Sequence, residues 1–121
     1  MNLAQVKELL QAEVLSGEEK LATTHALSVC GADLMSDVLA FTKEKTLLLT
    51  GLTNPQVIRT AEMIDLVGLV FVRGKRPSED VIAMARERGL PMLSTKLPLY
   101  ETCGLLYTAG LPGCSARAAN G

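Results

Sequence analysis

From residue 46 onward the chain alternates between short apolar runs and longer stretches with apolar positions at helical spacing. Thr46 to Thr50 reads as a buried strand ending at Gly51. Asn54 followed by Pro55 is a helix start, with Asn as the cap and Pro in the first turn, where no amide hydrogen is needed. Val57, Ile58, Ala61 and Ile64 then mark one helix face. Val67 to Val72 is a second, almost wholly apolar strand. After the loop Gly74-Lys75-Arg76-Pro77, Ser78 caps a helix that turns Val81, Ile82 and Ala85 inward. Arg86 and Arg88 fall in its last turn, where positive charge suits the helix dipole, and Gly89 stops it. Pro91 to Thr95 is a third strand, short enough to lie near an edge. Pro98 to Ala109 is the last helix, with Leu99, Cys103 and Leu106 as its stripe, and Gly110 ends it.

The first forty residues are less regular. Leu3, Val6, Leu9 and Leu10 form a helical stripe over 2–12. Glu13-Val14-Leu15 suits a short strand, and Ser16 to Glu19 a turn. Residues 25–31 are small and apolar and read as a strand. Asp33 is placed to cap a short helix carrying Leu34, Val38 and Phe41. Near-continuous apolar strands alternating with amphipathic helices define the class: α/β, a single domain, a mainly parallel sheet with helices on both faces, and a βαβαβα core at about 46–109. The domain is expected over 1–111. Residues 112–121 lack apolar periodicity and are expected to form a flexible tail.

Composition fits that reading. The chain has 121 residues, and its hydrophobic share of 48% is that of an ordinary globular domain. Aromatics are few, so the core must be aliphatic. The net charge of −1 and the four aromatics argue against nucleic acid or an anionic membrane as partner. Residues 1–40 hold 2 basic and 6 acidic side chains, and residues 41–121 hold 10 basic and 7 acidic. That asymmetry fits head-to-tail docking of two copies or, more simply, two differently solvated surfaces. Cys30, Cys103 and Cys114 are an odd set without a CxxC pair, which speaks against a disulfide framework and a structural zinc site. Cys30 and Cys103 read as core residues and Cys114 as a free thiol near a loose end. No signal peptide or spanning segment is evident, and the cytoplasm is the expected location.

Candidate chemistry is sparse. The loops at the carboxyl ends of the strands bring Thr53, Asn54, Arg73, Lys75, Arg76, Thr95 and Lys96 to one predicted edge. Cations, hydroxyls and helix N-termini there suit a phosphate or carboxylate. The same residue types are ordinary caps and loop residues. Gly74-Lys75 lacks the following Ser or Thr and the preceding glycine of a phosphate loop. His25, the sole histidine, reads as a structural residue on a small apolar strand. Asp33 and Asp37, four apart, suit one helix face, yet one such pair makes no divalent metal site. No metal or cofactor is expected.

Three segments carry a resemblance. Gly31-Ala32-Asp33-Leu34-Met35-Ser36-Asp37-Val38-Leu39 resembles the "DLLSDV" segment of DRTGG-domain proteins, with Asp33, Ser36 and Asp37 as its polar positions. Gly68 to Glu79 resembles that family's second strand, glycine loop and Pro-Ser-Glu helix start. Gly89 to Thr95 with Tyr100-Glu101-Thr102 resembles its last strand and helix. The namesake loop departs: Gly51-Leu52-Thr53-Asn54-Pro55 lacks the Asp and Arg, so no ligand contact made by those residues carries over. The resemblance implies a regulatory or accessory module, similar to the N-terminal domain of HPr kinase/phosphorylase. It implies pairing into a homodimer, or contact with a larger redox or metabolic enzyme. Three functions are open: a non-catalytic regulatory domain acting by protein contact, a small-ligand sensor binding an anion or adenine nucleotide, and, last, a small phosphotransferase or hydrolase.

Overall fold

A computed structural model describes residues 1–41 and 43–114, with Phe41 described by its backbone alone. The elements in chain order are α1 (Leu3–Leu10), β1 (Glu13–Ser16), β2 (Ser28–Gly31), α2 (Met35–Phe41), β3 (Thr46–Thr50), α3 (Pro55–Met63), β4 (Gly68–Phe71), α4 (Glu79–Arg88), β5 (Met92–Ser94) and α5 (Leu99–Thr108). A 3₁₀ turn spans Glu18–Lys20. The five strands form one sheet in the order β1-β5-β4-β3-β2. β2 to β5 are parallel, and β1 is antiparallel to β5. The expected α/β class and mainly parallel sheet are both present.

The strands step one way, from β2 to β3 to β4 to β5. With right-handed crossovers, that order puts every intervening helix on the same face. Accordingly Met35 and Val38 of α2, Val57, Ile58 and Ala61 of α3, and Val81, Ile82 and Ala85 of α4 share one core with Leu48, Leu69, Phe71 and Met92. The alternate strand residues Leu47, Leu49, Val70 and Leu93 point the other way, against Leu3, Val6 and Leu10 of α1 and Leu106 of α5. Each such side chain, fully buried, contributes roughly 1.5–3 kcal/mol. Helices cover both faces, but the split is uneven: three on one side and two on the other.

Local signals set most boundaries. The Asn54 side chain accepts the Gln56 amide at 3.0 Å with Pro55 in the first turn, and Ser78 accepts the Val81 amide at 3.4 Å. Gly89 closes α4 in the left-handed region at φ +65°. Gly31 serves packing instead. A Cβ there would lie 2.9 Å from Cys103 Sγ and 3.4 Å from Leu99 Cδ1, so its hydrogen lets α5 lie close on β2. Burial in that contact pushes the Cys103 thiol pKa up.

β5 does lie near an edge, as expected, one strand in from β1, which pairs with it antiparallel through a bulge between Val14 and Ser16. Several expectations need correction. The strand expected over 25–31 begins at Ser28. His25 is exposed and joins only an isolated bridge to Asn2. Asp33 does not cap α2. Its Oδ1 accepts the Thr50 hydroxyl at 3.0 Å and the Gly51 amide at 2.8 Å, tying the end of β2 to the end of β3. Asp33 therefore lies outside α2, and the expected shared face with Asp37 does not form. Leu34 is exposed and Met35 takes the inward place; the side chain of Phe41 lies outside the described residues. The expected tail is ordered at its start. Val29 donates to the Pro112 carbonyl and Cys114 donates back to Val29, which leaves Cys114 buried rather than at a loose end. The rest of that segment, 115–121, lies outside the described residues.

Two substitutions test this packing. Gly31→Val is expected to cost roughly 1–3 kcal/mol in chemical denaturation by overpacking, and Cys103→Ala in the same chain to recover part of it. Additive costs in the double mutant would contradict the contact. Asp33→Ala is expected to cost about 1–3 kcal/mol by orphaning the Thr50 and Gly51 donors, with Asp33→Asn, which keeps an acceptor, costing less. Equal losses for the two variants would show that the acceptor oxygen is not what matters.

Candidate functional site

Parallel strands β2 to β5 end at one edge of the sheet, so the loops after β3, β4 and β5 meet there. The connection after β4 leads to α4 on one face, and the connection after β5 leads to α5 on the other. Neighbouring connections that part to opposite faces open the crevice in which α/β proteins bind ligands. Here the crevice is laced shut. The Arg73 amide donates to the Leu97 carbonyl at 2.9 Å and the Gly74 amide to Thr95 at 2.8 Å. Ser94 Oγ donates to the Lys75 carbonyl at 2.8 Å. Lys75 N–H to Val72 O closes a tight turn through Arg73 and Gly74, both with positive φ, at 59° and 69°. The Arg73, Gly74 and Lys75 amides, which could otherwise hold an anion, are committed to carbonyls of the fold.

The seven side chains expected at this edge divide into two groups. Thr95 is buried; its Oγ1 donates to the Leu10 carbonyl and accepts the Leu97 amide. Asn54 caps α3. Arg76 pairs with Glu13, whose hydrogen bond and charge hold the guanidinium more firmly protonated. These three are spent on the fold. Thr53, half-buried, and Arg73, Lys75 and Lys96, all exposed, make no side-chain hydrogen bond or ion pair among the described residues. Asp33 also stands at this edge, within ordinary contact of Gly51, and places a carboxylate beside the departed namesake loop. Ser36 and Asp37 are exposed on α2.

The more developed surface lies next to Arg73. A cleft of about 650 Å³ is lined by Arg73, Pro98, Leu99, Tyr100, Glu101 and Cys103. It adjoins a groove of about 680 Å³ that runs along α5 past Gly104, Leu105 and Tyr107. Tyr100 is 86% exposed and Tyr107 72%. The inward residues of α5 are Thr102 and Leu106, with Leu99 and Cys103 half-buried. The sequence reading found that inner stripe and passed over the outer one. The available signal was composition: α5, Leu-Tyr-Glu-Thr-Cys-Gly-Leu-Leu-Tyr-Thr, has one charged residue and is apolar nearly all round, as helices covered on two sides are. By contrast Leu34, Leu39 and Met63 are exposed on α2 and its surroundings, and single exposed apolar residues of this kind are ordinary on a protein surface.

Chemistry that needs a nucleophile and a base finds little support. The His25 ring makes no hydrogen bond to a hydroxyl, thiol or carboxylate among the described residues. No cluster of three or more metal-binding side chains occurs among them, and none of their helices is long and apolar enough to cross a membrane.

Comparison with known proteins agrees with the fold. A crystal structure of the CBS and DRTGG domains of the regulatory region of Clostridium perfringens pyrophosphatase, complexed with its activator diadenosine tetraphosphate, superposes with a TM-score of 0.73. The likeness covers 92% of this chain and 47% of that one at 18% identity, so this chain spans about half the length of its match and the likeness concerns the fold alone. No curated protein matches the sequence. Residues 5–109 match the model of the DRTGG domain, which takes in every strand and α-helix described except the first two residues of α1. A match over nearly the whole described chain, in a sheet of the same shape, establishes that this protein belongs to the DRTGG-domain family.

Proposed function

We propose that this chain is a non-catalytic regulatory or accessory domain that acts by protein contact, as a homodimer in the cytoplasm. The observation that carries the reading is the outer face of α5. A monomer has no reason to leave two tyrosines and Leu105 around an open apolar groove, whereas a contact surface does. Tyrosine supplies large contact area at low entropic cost, which is why interfaces favour it. Cys103 and Cys114 are free thiols in this fold, which suits a reducing compartment. Membership in a family known from a pyrophosphatase regulatory region supports a role beside or upon a larger enzyme.

A second reading has its own support. Arg73, Lys75 and Lys96 project without partners from adjoining loops, and the cleft beside Arg73 is flanked by the ring of Tyr100. A cation beside an aromatic ring suits an adenine nucleotide or a related anion. The laced backbone weakens this reading, because side chains alone would then have to hold the phosphate.

Two measurements separate them. Light scattering at about 100 μM is expected to give twice the 12.9 kDa chain mass; a single-chain mass at every concentration would remove the homodimer. Thermal unfolding with adenine nucleotides is expected to show no shift under the first reading. Under the second, a ligand at a hundred times its Kd adds about 2.7 kcal/mol, and the variant Arg73→Ala with Lys75→Ala loses that gain.

A further inference from the structure

The outer face of α5 has complementary parts. Tyr100, Gly104, Tyr107 and Thr108 fall in one stripe at helical spacing. Gly104, near the middle of the helix, is the hollow between the two rings. A glycine is disfavoured inside a helix relative to alanine, so its presence asks for a reason. Neither usual reason applies. Its φ is not positive, and a Cβ placed there would meet nothing within 4 Å. Gly31 and Gly68, by comparison, lie under close neighbours, and Gly74 and Gly89 need positive φ. The space over Gly104 is open on the outside, where only another molecule can use it.

The two ends of the stripe also differ in charge. At the N-terminal end stand Arg73 and Lys96, exposed and without ion partners among the described residues. The Arg73 amide bond to the Leu97 carbonyl holds that loop beside the start of α5. At the C-terminal end the last turn contains no basic residue, so the negative end of the helix dipole has no cation from its own helix among the described residues.

Resting on the homodimer reading, we infer that the occupant of this face is a second copy, its α5 antiparallel to the first, with Tyr100 of each copy seated over Gly104 of the other. A twofold axis midway between these positions makes the contact twice, as an isologous interface requires. The same register sets Tyr107 against Leu97 of the second copy, next to Arg73, where a guanidinium can face the ring. It also carries Lys96 to the C-terminal end of the other helix, supplying the missing cation. Ring and hollow, cation and helix end, are matched by features of the same surface.

Sedimentation equilibrium of the full chain tests this register. Gly104→Leu fills the hollow without touching the interior, so its monomer is expected to fold as the parent does, by circular dichroism, and to melt no lower. Its self-association is expected to weaken by about tenfold or more, and that of Arg73→Glu by several-fold. A parent that dimerises while Gly104→Leu dimerises equally well would overturn the α5 register and leave the homodimer reading standing. A parent that stays monomeric up to about 0.5 mM would overturn both.

Discussion

The structure is governed by the need to cover a mainly parallel sheet on both faces with the five α-helices of the described residues, three of which have no choice of side. β3 and β4 are buried along their whole length, so neither face can meet water. Because β2, β3, β4 and β5 follow one another without reversal, α2, α3 and α4 fall on the same face. The other face is left to α1 and α5, which come from outside the repeating unit. α5 must cross back from the end of β5 to lie over β2 and β3, and Gly31 makes room for it. A face covered by two helices leaves the far side of one of them unneighboured. The apolar outer stripe of α5 is where that shortfall shows.

The same constraint shapes the strand-end edge. Only the connections after β4 and β5 part to opposite faces, and there the chain closes the crevice with its own amides instead of leaving them for a ligand. Asp33 adds a carboxylate to this edge by bracing β2 against β3. What remains is a set of lysines and arginines on the rim, beside the start of α5. In the dimer inferred here those cations answer the other copy's helix end, so the loop residues and the helix face serve one surface.

The parts of this fold that local chemistry decides were legible in the sequence. Asn54-Pro55 and Ser78 with Gly89 bound their helices as caps dictate, and the apolar runs at β3 and β4 gave a parallel sheet. What was not legible depended on partners distant along the chain. Asp33 carries a good cap residue's side chain, and only the fold shows that Thr50 and Gly51, seventeen and eighteen residues on, take its oxygen. The length of β5 placed it near an edge, and only the fold shows that the strand outside it is the antiparallel β1. Cys114 looked loose until 112–114 were found beside β2. At the candidate site the cations could be read from the chain, but the spending of Thr95, Asn54 and Arg76 on the fold could not. Tyr100, Gly104 and Tyr107 are at helical spacing in the sequence, but the apolar stripe of Leu99, Cys103 and Leu106 on the other side of α5 has the same period, and only the fold separates inner from outer face.

The central claim is that this domain works through the outer face of α5. The most direct measurement is the concentration dependence of backbone amide resonances on dilution of labelled protein. Shifts confined to residues 97–108 and the Arg73 turn, with α2 to α4 unchanged, are the predicted result. Shifts centred instead on Leu34, Leu39 and Met63, on the opposite face of the sheet, would contradict the account.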